Sequence, residues 1–217
     1  LYGWSRSGNI WESHLSSSLT ALKHDGINGK DNWKPVPNWP QTFWKIGSKL
    51  KVVILTVYVD DFILAGPGSS DEWPSIRNEI NGIRTTVPSD VGRILGVHHT
   101  FTQDGTKIET QIDMLDYVEQ SVQMYVDHRG SEKWPIKEKC YYPWYEPTQQ
   151  EIEEFSVLPG VFQSSAASLL MKARYCARMV RLDICYTINT LSKYVTKWNA
   201  LCDKQLRHLY SYLHTTA

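Results

Sequence analysis

Apolar positions crowd together over residues 51–66, which read Lys-Val-Val-Ile-Leu-Thr-Val-Tyr-Val-Asp-Asp-Phe-Ile-Leu-Ala-Gly. A run so rich in Val, Ile, Leu and Tyr predicts a pair of strands over 50–65, with Asp60-Asp61 as the turn between them. Upstream, Ile10, Leu15, Leu19 and Leu22 fit helical spacing loosely and predict a short amphipathic helix over 9–22. Residues 23–49 carry Gly26, Gly29, Pro35, Pro37 and Pro40 and read as loop, with a strand near 42–46.

Beyond the hairpin, Gly66-Pro67-Gly68-Ser69-Ser70 breaks the pattern. Ser70 or Asp71 is a candidate cap for a helix over 72–82, with Ile76, Ile80 and Ile83 on one face. Residues 94–101 and 107–110 predict two strands around an Asp104-Gly105 turn. From residue 113 the period becomes helical, and Met114, Val118, Val122 and Tyr125 share a face. Residues 129–160 hold many charges and four prolines and read as a linker or a loosely packed insertion. A helix follows over 164–180, with Leu169, Ala173, Cys176 and Val180 aligned. Asp183 is a candidate cap for the next helix, over 184–196, and Asn199 or Asp203 for a last one reaching about His214. The fold class is α+β: an α+β part over 1–112 and a mainly helical part over 113–217.

Composition adds little until it is divided along the chain. The 217 residues are 41% hydrophobic, enough for a core. Net charge is zero, but residues 170–217 carry eight Lys/Arg against two Asp, while the rest carries fifteen against twenty-one. A basic helical end beside an acidic remainder suits a protein that tracks phosphates and holds metals; a solvated helix face explains it equally. Five of the nine tryptophans fall in the first 44 residues, as local packing or as base-stacking surfaces. Cys140, Cys176, Cys185 and Cys202 lack metal-ligand spacing and imply no disulfide framework. No signal peptide or membrane span is visible, and both ends read as cut from a longer chain.

The chemistry concentrates at Asp60 and Asp61. Two carboxylates inside an apolar run are costly unless compensated. At a hairpin tip they can hold a hard divalent cation, which prefers oxygen ligands, and two such ions can run phosphoryl transfer. The plainer alternative is a polar turn, where Asp is common. His98-His99 invites a metal reading but has no third ligand at suitable spacing.

Tyr58-Val59-Asp60-Asp61 resembles the Tyr-Val-Asp-Asp box of reverse transcriptases, and the string Val57 to Gly66 resembles that box in copia-type LTR retrotransposons. Four further segments agree in order. Leu1-Tyr2-Gly3 with Trp11 is similar to the segment near the incoming nucleotide, and Leu95-Gly96-Val97 to the turn near the primer. Arg181 to Tyr186 with Asn189 to Tyr194 is similar to the helical stretch that follows. Arg207 to Thr215 is similar to the final helix before a linker to a ribonuclease H domain. Trp4, Ser5, Arg6 and Asn9 depart from the family's Leu-Lys-Gln and later Arg, and Leu182 stands in place of its Pro.

The resemblance implies the rear of a polymerase palm with a catalytic hairpin, then a thumb and connection region. It implies an RNA-directed DNA polymerase that joins nucleotides to a primer 3′-hydroxyl using two Mg²⁺ ions, with Mn²⁺ as a substitute. Asp60 and Asp61 would be the catalytic metal ligands, and Tyr58, Gly3 and Gly96 would touch primer or nucleotide. A third carboxylate would come from a strand upstream of Leu1. Implied partners are an RNA template, a DNA primer, deoxynucleoside triphosphates and the rest of a pol polyprotein, namely the fingers, first palm strand, ribonuclease H and integrase, with no membrane. The implied setting is intracellular, a cytoplasmic virus-like particle with nuclear access. Two alternatives remain: a non-catalytic remnant of such an element, and an unrelated two-metal nuclease drawing on Asp90, Asp104 or Asp113.

Overall fold

Strict alternation along one strand builds the first core. In the computed structural model, which describes residues 6–21, 33–47, 51–67, 76, 87, 89–128 and 130–217, β3 (Val52–Tyr58) buries Val53, Leu55 and Val57, exposes Ile54 and leaves Thr56 half-buried. The helix expected over 72–82 lies outside the described residues apart from Ile76, and Leu1 to Gly3 lie outside them altogether. The described residues form two antiparallel sheets and six helices, an α+β fold as expected. The chain divides into two compact units, 1–91 and 92–217.

The first unit pairs α1 (Ser7–Ala21) with a sheet of β1 (Lys34–Pro35), β2 (Thr42–Ile46), β3 and β4 (Asp61–Ala65), in sequence order. One sheet face joins Phe43, Val53, Leu55 and Val57 to Leu15 and Leu19 of α1, to Trp33 and to Ile76. Trp11, Phe62 and Leu64 pack at the edge of this core. Lys45 is buried with its Nζ 5.0 Å from the centre of the Trp33 ring, a cation–π contact. The opposite face carries Val52, Ile54 and Tyr58, all exposed, which is why 51–66 reads as a continuous apolar run rather than an alternating one.

The second unit starts with β5 (Arg93–Ile94), β6 (Val97–Asp104) and β7 (Lys107–Asp113) in one antiparallel sheet. Its turn places Gly105 and Thr106 between the paired Asp104 and Lys107, so the turn lies one residue later than Asp104-Gly105. This sheet belongs with the helices, so the contact boundary falls at 91/92 and the division expected at 112/113 lies one hairpin later. Side chains explain the grouping: Tyr175 donates to the Leu95 carbonyl at 2.5 Å, and His98 Nε2 lies 3.2 Å from the Asp116 carboxylate.

The helices are α2 (Leu115–Asp127), α3 (Gln149–Phe155), α4 (Ala166–Met179), α5 (Cys185–Ser192) and α6 (Ala200–Thr215). The core stacks Tyr125 between Phe162 and Tyr210, at ring-centre distances of 5.0 and 4.7 Å, over Leu169, Ala173, Cys176, Leu206 and Leu209. Asn199 caps α6 by accepting from the Cys202 N–H.

Two expectations fail here. Residues 129–160 are not a loose insertion: the Lys137 and Cys140 N–H groups donate to Ser211 and Thr215 hydroxyls of α6, Trp134 is buried, and α3 is closed by a Thr148–Glu151 capping box. Charge and proline count hid side-chain hydrogen bonds made to a helix some 75 residues away. Nor does Asp183 cap a helix over 184–196. Residues 182–184 form a 3₁₀ turn, α5 ends at Ser192, and Asp183 accepts from Arg181 and from the Tyr212 hydroxyl. Arg181 also donates to Thr216, so the Arg-Leu-Asp segment clamps the turn after α4 to the end of α6.

Candidate metal-binding hairpin

Tyr58 pairs with Asp61 as the last rung between β3 and β4, leaving Val59 and Asp60 as the two central turn residues. The carboxylates are therefore not equivalent: Asp60 sits in the turn, and Asp61 opens β4 on the same sheet face as Tyr58. Both are exposed, which resolves the cost of placing them in an apolar run, because the tip keeps them in water.

The turn is strained. Val59 has φ +56°, the left-handed region that a β-branched residue rarely occupies. Its carbonyl accepts a hydrogen bond from the Trp11 indole N–H at 2.6 Å, which ties the tip to α1. Trp11 entered the sequence reading only as part of a motif; its role as donor to a main-chain oxygen 48 residues away has no sequence signal. At the far end of β4, Gly66 has φ +139°, and a Cβ there would meet the Val52 carbonyl oxygen at 2.7 Å, so the motif's closing glycine is a packing requirement.

Of the expected site residues, Tyr58, Asp60 and Asp61 are brought together on this hairpin. Gly96 stands in the second unit, in the two-residue turn between β5 and β6, where Leu95 has φ +52° and Gly96 φ +77°. Gly3 lies outside the described residues. Asp60 and Asp61 offer the hard oxygen donors that Mg²⁺ takes, but among the described residues no group of three or more His, Cys, Asp or Glu gathers around a common point. The pair fits part of a metal site and needs further ligands.

The other candidates resolve into structure. His98 faces Asp116, and His99 Nδ1 faces the Val97 carbonyl. Cys140 Sγ lies 3.3 Å from His208 Nε2, but burial pushes the thiol up and the imidazole down, so neutral partners meet with no thiolate. Of the eight basic residues near the C-terminus, Lys172, Arg181, Lys197, Lys204 and Arg207 stack on aromatic rings or pair with carboxylates. Arg174 and Arg178, four residues apart on α4, and Lys193 after α5 are exposed.

No family model matches the chain, and no solved structure matches it. The chain is similar to a Saccharomyces cerevisiae protein described as a transposon Ty5-1 protein, with 21% identity over 225 residues, covering the whole of this chain and 63% of that protein. The chain thus spans less than two thirds of that relative's length. Among the described residues, no helix is long and apolar enough to cross a membrane.

Proposed function

We propose that this chain derives from a retrotransposon and is part of its RNA-directed DNA polymerase, contributing the catalytic hairpin of the palm and a helical thumb and connection region. The observation that carries the reading is the strained Val59-Asp60 turn, presenting two exposed carboxylates and Tyr58 within a Tyr-Val-Asp-Asp string. Backbone strain of this kind persists where a site requires it. Likeness to a transposon protein along the whole chain supports the same origin.

In this reading Asp60 is the principal metal ligand and Asp61 the supporting one, as the resemblance implies; their different places, one in the turn and one opening β4, support unequal roles. The remaining carboxylate would come from an upstream strand pairing with β4, which is the terminal strand of its sheet among the described residues. Mg²⁺ held there would neutralise charge on a nucleoside triphosphate and acidify a primer 3′-hydroxyl. Tyr58 would support the primer end, and Arg174 with Arg178 would meet duplex phosphates. A second reading, a non-catalytic remnant, draws on the absence of a three-ligand group among the described residues and on Trp4, Ser5, Arg6 and Asn9.

Primer extension on a primed RNA template with Mg²⁺ separates the two. The protein is extended upstream to include the further strand and is compared with its Asp60→Asn variant. Extension that disappears in the variant is the expected result. No extension by either folded protein would overturn the polymerase reading in favour of the remnant.

A further inference from the structure

The hairpin of β6 and β7 stands out from the second unit: every residue from Thr100 to Ile112 is exposed. β5 pairs only with Val97 and His98, and the His99 N–H adds one bond to the Gly92 carbonyl. From Thr100 onward the ribbon has two strands, a number that is marginal in water without a partner. Its faces differ. One carries Phe101, Gln103, Ile108, Thr110 and Ile112, with Phe101, Ile108 and Ile112 53%, 66% and 47% exposed. The other carries Asp104, Lys107, Glu109 and Asp113. β7 is the terminal strand of its sheet among the described residues, and it has no Pro, Gly or bulge, the devices that commonly close an edge. Asp104 and Lys107 close a two-residue turn as a hydrogen-bonded pair, so Ile108, Thr110 and Ile112 direct their N–H and C=O groups away from β6.

We propose that β7 pairs edge to edge with β7 of a second copy of this chain, antiparallel about a two-fold axis at Thr110. The strand's own charges select both the occupant and the register. Centring the axis on Glu109 sets that carboxylate against its own copy, and centring it on Gln111 sets Glu109 against Asp113. Centring on Ile108 or Ile112 pairs only the three residues at one end of β7. Centring on Thr110 uses the whole strand. It opposes Lys107 to Asp113 and Ile108 to Ile112, each twice, and Glu109 to the Gln111 amide. Lys107 pairs with Glu109 in its own strand and Asp113 Oδ1 accepts from the Leu115 N–H, which leaves ammonium donors and Asp113 Oδ2 for the opposing copy. The product is a closed four-stranded sheet, β6-β7-β7-β6, whose apolar face runs on from one copy to the other. Two carboxylates beside a single lysine make the same edge a poor match for a phosphate backbone. This pairing stands whether or not the chain polymerises.

The test is amide exchange on the full ¹⁵N-labelled chain across a concentration series, with sedimentation over the same range. The Ile108, Thr110 and Ile112 amides should exchange freely in dilute protein and gain about tenfold protection as dimer forms, with a Kd on the order of 0.1 mM for so small an interface. Lys107 and Glu109 amides, bonded within the hairpin, should be protected at every concentration. Thr110→Pro removes an outward N–H that the hairpin does not use and should weaken the dimer by at least about tenfold. Lys107→Glu and Asp113→Lys should each weaken it by about tenfold, and the two together should restore it, which damage to the fold would not do. Several results would overturn the proposal: a monomer at about 1 mM, assembly beyond the dimer, or a double charge swap no better than the single ones. So would protection of the outward amides that ignores concentration, as a covering segment of the same chain would give, or that appears only with an added primed RNA template.

Discussion

Replacing Val59 by glycine should stabilise the first unit, against the usual direction of such a change. Val59 sits at φ +56°, where an L side chain costs about 1–2 kcal/mol and a β-branched one lies at the upper end. Glycine removes that cost but loses about 0.5–1 kcal/mol of chain entropy. The side chain is 63% exposed, so its truncation gives up little burial, about 0.5 kcal/mol. The balance is a gain of about 0.5 kcal/mol. Val52, which opens β3 and is 49% exposed, has no such strain, and Val52→Gly should cost about 1 kcal/mol. Amide hydrogen exchange on β3 and β4 reads both against the unaltered chain. Trp11→Phe, which removes the donor to the Val59 carbonyl, should cost about 1 kcal/mol in either background, because the acceptor is main chain. Equal destabilisation by Val59→Gly and Val52→Gly would refute the strain argument.

Glu151 is held at about 2, well below its ordinary 4.5, by the Lys204 ammonium first, then the Thr148 N–H and the Tyr145 hydroxyl. A depressed carboxyl contributes stability in full above its ordinary value and loses it as the pH falls through the depressed one. The α3 amides should therefore lose protection between about pH 4.5 and 2 while the aromatic core still holds; unchanged α3 protection across that range would count against it. Asp203 is buried and accepts from the Val161 and Phe162 N–H groups and the Trp198 indole at 2.7, 3.2 and 2.7 Å. Asp203→Leu orphans all three donors and should cost at least about 3 kcal/mol in urea unfolding; a loss below about 1 kcal/mol would contradict it. Gly160→Ala would place a Cβ 2.7 Å from the Asn199 carbonyl and against the Trp198 ring, and should lower stability by about 1–3 kcal/mol, visible as a fall in Tm.

The sequence was legible where one local pattern decided the outcome. Strand 42–46, the hairpin, the buried face of Met114, Val118, Val122 and Tyr125, and the Asn199 cap all follow from neighbours within a few residues. It was opaque where distant partners decided. Cys140 is fixed by Thr215, Glu151 by Lys204, and Asp183 by Tyr212 rather than by the helix it precedes. At the hairpin, the pattern located the carboxylates but put the turn at Asp60-Asp61, one residue later than the Val59-Asp60 turn that forms. The register places Asp60 in the turn and Asp61 on the strand, and only the backbone reveals that Val59 bears the strain.

The attachment of residues 134–140 to the last helix bears on how the chain folds as it is made. Tyr58 and Asp61 meet across two residues, and so do Asp104 and Lys107, so both hairpins can close as soon as their second strands leave the ribosome. Lys137 and Cys140 instead wait for Ser211 and Thr215, and the aromatic stack waits for Tyr210. The second unit is thus exposed in a half-finished state for nearly all of its synthesis, with Tyr125 and Phe162 uncovered. Truncation before α6 should leave a species that holds its hairpins yet recruits chaperones or aggregates.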